Sequence, residues 1–423
     1  MRAKTVFENN AHLSTNPTEK LPVAVPGEAF RFFEGIKILD LTTSIAGPYA
    51  TMLLADMGAD VVKVERIGVG DDSRAWGPPF LKGESLWFLS VNRNKKSLTL
   101  NYSNDLGKSV LYDLVRQADV VILNQLQRVQ IKLGIDYESL SNLRQDLIFV
   151  SLTGFGLDNK RSELPCYDLI AEGYSGVMDL TGEADSDPQK IGTPAADLLA
   201  GMDAAFSVAT ALFDRQKTGQ GHKIDISLVE SMTKFMMPRI VPYLGSGEVP
   251  RRTGAKDSVI AIYQTFQTAD APLNLGLGND NIWKRFWKAV GHPEVANEKQ
   301  FASNNQRRNA RAEIVHKIQN ILTKHPRDYW LGLFADANVP AGPVNRLDEV
   351  TQDQHFLERN LFFAIERNGS LIPQVGTAVA IDGKSNGYRL SPPTIGEHSV
   401  DILKEWLSYK DKKINFLKEK FII

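Results

Sequence analysis

The sequence predicts an α/β protein with a doubly wound, Rossmann-like large domain and a smaller mixed α/β domain. Three observations carry this prediction: a strand–helix–strand unit opens the regular part of the chain, the alternation recurs to residue 152, and it breaks down from about residue 224. A chain of 423 residues is also longer than one simple core requires, so two domains are expected.

The opening unit is the clearest element of the pattern. A buried strand is predicted at residues 36–41 and a helix at 49–57, with Pro48 in its first turn and Gly58 as its C-terminal cap. A second strand at 60–65 completes a unit of about 30 residues, the size of a right-handed crossover between parallel strands. Ligands of such a sheet bind beyond the carboxyl ends of its strands.

Later segments extend the alternation and then depart from it. Further predicted elements are helices at 107–117, 137–144, 281–290 and 312–323, and strands at 119–123, 147–152 and 222–227. The proline-rich segment 339–344 is incompatible with a helix and is expected to lead back to the first domain. The predicted divisions are a polar N-terminal arm at 1–30, the large domain at 31–225, the small domain at 226–339, and a return to the large domain with C-terminal helices at 340–423.

Composition argues against several classes of protein. Lys and Arg total 49 against 50 Asp and Glu, which leaves no broad basic surface for nucleic acid or an anionic membrane. The single cysteine, Cys166, and seven scattered histidines offer no disulfide and no zinc spacing, so no metal is expected. Neither a signal segment nor an apolar stretch of about 20 residues is found, so we expect a cytoplasmic protein.

The turn after the first strand argues against a nicotinamide-binding domain. Residues 42–48 contain one glycine, Gly47, where a dinucleotide fold needs Gly-x-Gly-x-x-Gly. Glu65, at the end of the second strand, is by itself a weak indication of a ribose ligand. We therefore reject the dinucleotide interpretation.

Asp168 has two possible roles on its local sequence. It directly precedes the predicted helical start Leu169-Ile170-Ala171, where an aspartate commonly caps the helix and complements its dipole. Cys166 is a competing nucleophile, although an isolated cysteine is more often a packing residue. The sequence has no Gly-x-Ser-x-Gly elbow that would support hydrolysis.

Ordered sequence blocks cover nearly the whole chain after the N-terminal arm. They include GIKILDLTTSIAGPYATMLLADMGADVVKVER from Gly35 onward, then NRNKKSLTL, ADVVILN, SLTGFG, CYDLIAEGYSGVMDLTG, ADLLAGMDAA and RQKTGQGHKIDISL. In this order the blocks resemble the family III CoA-transferases, also called the CaiB/BaiF family. The resemblance implies transfer of coenzyme A from an acyl-CoA donor to a free carboxylic acid. It also implies an interlocked homodimer, with CoA thioesters as substrates and no tightly bound cofactor.

The resemblance assigns roles to individual residues. Asp168 is implied as the catalytic nucleophile, forming an acyl-aspartyl anhydride and then an aspartyl-CoA thioester. The residues implied to bind CoA are Ser44, Ile45 and Ala46 in the first turn, Arg66 and Lys132 near the phosphates, Leu100 beside the adenine, and Asn124. By contrast, Arg93, Lys95 and Lys96 are expected to form a solvated turn.

Two departures from the family pattern are visible. Residues 124–128 lack the aromatic contact and the tight turn of the corresponding family block, so a difference in the local CoA contacts is expected. The tetraglycine active-site loop of formyl-CoA transferases is also absent, and the nearest segments are Gly245-Ser246-Gly247 and the pair Gly276 and Gly278.

Two other functions stay open on the sequence. An α-methylacyl-CoA racemase shares the fold, but the histidine that precedes the aspartate in racemases is replaced by Tyr167, whose pKa is too high for a ready base. Asp197 resembles the second acidic group of a racemase without its partner. A non-catalytic CoA-binding subunit would bind CoA without turning over any substrate.

Overall fold

A computed structural model describes residues 16–27, 30–384 and 388–423, which divide into two compact units. Of the described residues, the first unit contains those up to Ser175, Gly192–Met237, and those from Thr351 to Ile423. The second contains Gly176–Ile191 and Pro238–Val350. Gly176–Ile191 lies within the residues predicted as the large domain, and the predicted domain boundaries stay a prediction.

The strands and helices are numbered in chain order. The strands are β1 (Lys37–Asp40), β2 (Asp60–Glu65), β3 (Phe80–Leu81), β4 (Glu84–Ser85), β5 (Lys95–Thr99), β6 (Val120–Leu123), β7 (Ile148–Thr153), β8 (His222–Ser227), β9 (Tyr263–Phe266), β10 (Leu273–Gly276), β11 (Ala341–Pro343), β12 (Phe362–Arg367) and β13 (Ser370–Val375). The helices are α1 (Ala46–Asp56), α2 (Leu86–Ser90), α3 (Asp105–Gln117), α4 (Gln127–Leu133), α5 (Tyr137–Ser141), α6 (Asp168–Ser175), α7 (Val177–Leu180), α8 (Ala195–Thr218), α9 (Leu228–Phe235), α10 (Met237–Ser246), α11 (Asp280–Ala289), α12 (Asn304–Asn309), α13 (Arg311–Leu322), α14 (Arg327–Asp336), α15 (Leu347–Val350), α16 (Gln354–Glu358), α17 (Ser399–Glu405) and α18 (Asp411–Glu419).

A parallel sheet of six strands lies at the centre of the first unit, in the order β5-β2-β1-β6-β7-β8. Leu39 of β1 pairs with Val62 of β2 on one side and with Val121 of β6 on the other, and all three side chains are fully buried. Parallel sheets are covered on both faces, which is why their central strands are nearly continuous apolar runs. The predicted α/β architecture with a parallel sheet is confirmed.

The basic segment before and within β5 is buried, so the predicted solvated turn is wrong. Arg93 is 2% exposed and Lys95 is 0% exposed, although their neighbours in sequence are also polar. The Arg93 guanidinium pairs with the carboxylate of Asp56 at 2.6 Å, and the Lys95 ammonium pairs with Asp40 at 3.1 Å. Both charges are accommodated because each meets a carboxylate inside the unit.

The second unit contains an antiparallel sheet in the order β11-β10-β9. Its apolar core includes Trp283, Phe286 and Phe334, each fully buried. The segment 339–344 was expected to return to the first domain, but it forms β11, in which Ala341 pairs with Leu275 of β10. Backbone pairing therefore places Ala341–Pro343 in the second unit and the first unit resumes at Thr351, so a return to the large domain through this segment stays a prediction.

The N-terminal arm lies only partly within the described residues, since 1–15 and 28–29 fall outside them. The remaining segment runs along β12, where the Ala24 N–H donates to the Ala364 carbonyl at 2.9 Å and the Ala364 N–H donates to Pro22 at 2.9 Å. The described part of the arm therefore belongs to the first unit through backbone hydrogen bonds.

One helix of the described residues, α8, is long and apolar enough to cross a membrane by length and composition alone. A core helix of a soluble protein meets the same criterion, so this is weak evidence for a membrane span. Several large apolar side chains of α8 are exposed in the single chain, among them Phe206 at 73% and Phe213 at 60%.

Candidate active site

The turn between β1 and α1 lies at the carboxyl end of the sheet and holds the predicted CoA contacts Ser44, Ile45 and Ala46. Ser44 has a backbone φ of 73°, the left-handed region that residues with a Cβ seldom adopt. Ile45 and Ala46 are buried, at 3% and 4% exposure, whereas Ser44 is half-buried. An added Cβ at Gly47 would lie 2.3 Å from the Thr42 side chain, so this close approach requires glycine.

Four charged side chains lie buried beneath this turn, and we name them the buried quartet: Asp40, Lys63, Asp71 and Lys95. Each is at most 2% exposed. The Lys63 ammonium donates to the Thr42 carbonyl at 2.8 Å and pairs with Asp71 at 2.7 Å. The quartet combines two ammonium groups with two carboxylates, so its formal charges balance.

Mutual attraction fixes the charged states of most of the quartet. Burial alone raises the pKa of Asp40, but Lys63 and Lys95 lower it, and the net pKa lies well below the usual range. Burial likewise opposes the charged forms of Lys63 and Asp71, yet their attraction raises the pKa of Lys63 and lowers that of Asp71. For Lys95, burial and the nearby Lys63 outweigh Asp40 and lower the pKa to about 8.

Asp168 is the first residue of α6, and its carboxylate lies at the N-terminus of α8. Oδ1 of Asp168 accepts hydrogen bonds from the backbone N–H groups of Ala196 at 2.8 Å and Asp197 at 3.4 Å. Free N–H groups and the helix dipole at this end both favour a negative charge. The Asp168 side chain therefore accepts hydrogen bonds from the N-terminus of α8, and its predicted capping of α6 stays a prediction.

Asp197 and Cys166 complete the group of titratable side chains around Asp168. Burial, together with the negative charge of Asp168, raises the pKa of Asp197 to about 7. Burial, together with the negative charges of Asp197 and Asp168, raises the pKa of the Cys166 thiol to about 11. A thiol with this pKa is a poor nucleophile at neutral pH, because only the thiolate reacts.

Backbone contacts place the loop after β7 beside this group. An added Cβ at Gly154 would lie 2.1 Å from the Cβ of Cys166, so only glycine fits here. The Gly154 carbonyl accepts from the Ser227 hydroxyl at 3.0 Å and from the Val229 N–H at 3.1 Å. The SLTGFG block of the sequence is therefore a packing element next to Cys166.

The other predicted CoA contacts occupy different environments. Asn124 accepts from the Thr43 N–H at 3.1 Å and donates to the Thr43 carbonyl at 2.9 Å, which supports the first turn. Arg66 is exposed and pairs with Asp72, while Lys132 is exposed on α4. Leu100 is 1% exposed within the apolar core. A CoA contact by any of these residues stays a prediction.

A cavity of about 800 Å³ in the first unit adjoins both parts of the site. Ile45 of the first turn and Tyr49 and Met52 of α1 line one part of it, and Pro194 and Leu198 at the start of α8 line another. The volume falls in the range of small-molecule pockets, about 300–1,000 Å³. The same stretch of α8 that binds Asp168 thus borders this cavity.

The glycine segments named from the sequence lie apart in the chain, at the end of α10 and at the end of β10. Gly245 and Ser246 lie at the end of α10, and Gly276 borders a separate cavity of about 570 Å³ in the second unit. Within the described ranges, no group of three or more His, Cys, Asp or Glu side chains could hold a metal ion.

Sequence reasoning missed the functional setting of Lys63 and Asp71. One signal could have revealed Lys63, which interrupts the apolar run of a parallel strand and therefore has to be buried and paired. No local signal marks Asp71, which meets Lys63 only through the fold of the loop after β2.

Comparison with known proteins identifies the family. The sequence profile of CoA-transferase family III matches residues 33–399. The chain is 35% identical to succinyl-CoA:glutarate CoA-transferase of Mus musculus over 92% of this chain and 90% of that protein. It is 32% identical to acetyl-CoA:oxalate CoA-transferase of Acetobacter aceti over 93% of this chain and 100% of that protein.

A solved structure agrees with the sequence comparison. The crystal structure of a CaiB/BaiF family protein from Brucella suis has a TM-score of 0.78 at 35% identity, covering 88% of this chain and 99% of that one. The ordered blocks that resembled the family are thus matched in both sequence and fold. The chain belongs to CoA-transferase family III.

Proposed function

We propose that the protein transfers coenzyme A from an acyl-CoA thioester to a free carboxylic acid through the carboxylate of Asp168. The observation that carries this proposal is the pair of backbone N–H groups, from Ala196 and Asp197, on Oδ1 of Asp168. They hold the carboxylate in one place through backbone donors, and no cationic side chain of the described residues pairs with it, so the carboxylate is positioned for attack.

The proposed reaction conserves charge and needs no net proton transfer. The Asp168 carboxylate attacks the thioester carbonyl, the C–S bond breaks, and an acyl-aspartyl anhydride and the CoA thiolate result. The thiolate then attacks the aspartyl carbonyl, the C–O bond breaks, and the donor acid leaves as its carboxylate. The acceptor carboxylate reverses these steps on the aspartyl-CoA thioester, and one difficult exchange is divided into easier acyl transfers.

The neighbouring carboxyl group fits this scheme. With a pKa of about 7, Asp197 holds its proton in about half of the molecules at neutral pH. On average, Asp197 therefore carries less than one full negative charge, which reduces its repulsion of the Asp168 carboxylate at the same helix terminus. This arrangement supports a nucleophilic carboxylate and a thiol, Cys166, that takes no part in the chemistry.

For the substrates, the relatives supply the chemical class. Their names pair a CoA thioester of a short acid with glutarate or oxalate as acceptor. We infer that this enzyme likewise acts on short acyl-CoA donors and dicarboxylic acceptors. Its proposed CoA contacts are Ser44, Ile45, Ala46, Arg66, Leu100, Asn124 and Lys132, with no tightly bound cofactor.

Self-association is part of the proposal. Phe206 and Phe213 on α8 are exposed at 73% and 60%, a large apolar area for a monomer surface. None of the α10 residues is buried within the part of the chain that the structure describes, and Leu244 is 74% exposed. A second copy of the chain would cover these faces, in keeping with an interlocked homodimer in the cytoplasm.

A CoA-exchange assay read by mass spectrometry tests the reaction. Succinyl-CoA or acetyl-CoA is mixed with glutarate, oxalate or other acids, and new thioesters are measured for the unchanged protein, Asp168→Ala and Asp328→Ala. Asp328 is 88% exposed in its side chain and serves as the matched control. We expect exchange by the unchanged protein and the control, and none by Asp168→Ala.

Covalent trapping identifies the nucleophile directly. Hydroxylamine added during turnover should convert the acylated aspartate to a hydroxamate, detected as a mass change on the peptide that contains Asp168. Exchange by Asp168→Ala at the normal rate would contradict the mechanism. Loss of stereochemistry in an α-methyl thioester without exchange would indicate a racemase, and CoA binding without any turnover would indicate a non-catalytic subunit.

A further inference from the structure

The buried quartet is arranged around the backbone of the first turn. Lys63 donates to the Thr42 carbonyl at 2.8 Å, and Asp71 Oδ1 accepts from the Ser44 N–H at 3.0 Å. The two side chains also pair with each other at 2.7 Å. One ion pair therefore contacts two positions of the turn, on either side of Thr43.

The rest of the quartet supports the same segment from the strand side and the helix side. Asp40 accepts from the Thr42 N–H at 3.0 Å and from the Thr51 hydroxyl of α1 at 2.7 Å. Lys95 donates to the Pro48 carbonyl at 2.7 Å. The backbone from the end of β1 to the first turn of α1 is thus held by charged side chains that are themselves buried.

Stability alone is a poor explanation for these charges. A buried ion pair loses its hydration, and apolar side chains of similar volume are often as stable or more so. What the pair supplies here is a particular conformation, because Ser44 has a φ of 73° that a residue with a Cβ avoids without outside support. The Asp71 carboxylate binds the N–H of that same residue.

We propose that Lys63 and Asp71 are positioning residues for coenzyme A, which hold Ser44 in its left-handed conformation and so fix the shape of the CoA-binding turn. This inference rests on the proposed function, since it takes residues 44–46 as CoA contacts. Within the described part of the chain, no side chain caps the N-terminus of α1, which begins at Ala46, the last of these residues.

The test compares two buried aspartates of the first unit, each replaced by asparagine. Asp71→Asn removes the charge that pairs with Lys63. Asp56→Asn is the matched control, because Asp56 is equally buried in an ion pair but binds Arg93 and Asn94 at the other end of α1. Calorimetry with free coenzyme A gives the dissociation constant, and the exchange assay gives KM for succinyl-CoA and kcat.

For Asp71→Asn we expect the dissociation constant for coenzyme A and the KM to rise by about tenfold or more, with kcat within about twofold of normal. Asp56→Asn should lower the thermal midpoint and leave the dissociation constant unchanged. A purely structural role of Asp71 would instead reduce kcat in proportion to the folded fraction and leave KM as it was.

Three results would overturn the inference. The first is unchanged CoA affinity in folded Asp71→Asn, and the second is an equal loss of affinity in both variants. If Asp71→Asn does not fold, Lys63→Met combined with Asp71→Asn replaces it, because removing both charges together avoids an unpaired buried ion. The third result that would overturn the inference is a normal affinity of that double variant for coenzyme A. Failure of the unchanged protein to bind CoA would instead refute the proposed function, and the inference with it.

Discussion

Asp197 gives a prediction in which a substitution beside the site stabilises the protein. Its carboxyl group has a pKa of about 7 in the folded chain, against 3.8 for an unperturbed aspartate. Asparagine has nearly the same shape and no charge, so Asp197→Asn removes both the burial of a charge and the repulsion by Asp168. We therefore expect Asp197→Asn to be more stable than the unchanged protein at pH 8.

The size and the pH range of this effect follow from the same pKa values. A shift from 3.8 to about 7 corresponds to about 4 kcal/mol, at about 1.4 kcal/mol per pKa unit. Between these two values the native state holds the proton and the unfolded state does not, so the free energy of unfolding falls as the pH rises. Above pH 7 both states are ionised and the full cost remains.

Urea unfolding followed by circular dichroism at pH 4 to 8 measures the effect. The difference between Asp197→Asn and the unchanged protein should grow from near zero at pH 4 to about 4 kcal/mol at pH 8. Asp203→Asn is the control. Asp203 lies on the same helix as Asp197, and its substitution removes an ion pair with Lys234, so this variant should not gain stability. A variant that is no more stable at pH 8, or a difference that does not change with pH, would refute the reasoning.

Three further predictions concern the turn, the buried quartet and self-association. Gly47→Ala should lower the free energy of unfolding by about 1–3 kcal/mol, because the added methyl group overpacks the turn. Gly332→Ala should raise the free energy of unfolding by about 0.5–1 kcal/mol, because Gly332 is an exposed helical residue with open space around it. Urea unfolding measures both changes, and equal effects of the two substitutions would contradict the geometry. Lys95→Met should lower the free energy of unfolding by about 3 kcal/mol, because Asp40 loses an ammonium partner. An unchanged free energy in the same assay would show that Lys63 alone is a sufficient partner for Asp40. In the proposed homodimer, Phe206→Glu should shift the sedimentation velocity profile from dimer to monomer, and a dimer that persists in this variant would place the interface elsewhere.

The parallel sheet could be predicted because its signal is local. The strands at 60–65 and 222–227 were predicted with the bounds that the structure has, β2 and β8. Apolar runs separated by helical segments are typical of a sheet covered on both faces, and no distant contact is needed to recognise them.

The strand β5 and the charges around it could not be read in this way. Arg93, Lys95 and Lys96 follow one another closely, a pattern typical of solvated turns, and no local feature indicates their carboxylate partners. Asp40 lies 55 residues before Lys95, so only the sheet brings the two together. Long-range pairing of this kind decides whether a charge is buried or exposed.

The candidate site was predicted only in part for a similar reason. The family resemblance predicted Asp168 as the nucleophile, and its local sequence predicted it as the cap of the helix that follows. Its hydrogen bonds come instead from residues 28 and 29 positions further along the chain. The raised pKa of Asp197 depends on this meeting, which no spacing rule provides.

The Asp168 carboxylate is held by backbone groups, and this has a consequence for divergence within the family. Every residue except proline carries a peptide N–H group, so most substitutions nearby can reshape the surroundings without removing the donors. Relatives that share only about a third of this sequence accept acids as different as glutarate and oxalate. A carboxylate secured in this manner lets substrate preference drift while the reacting group keeps its position.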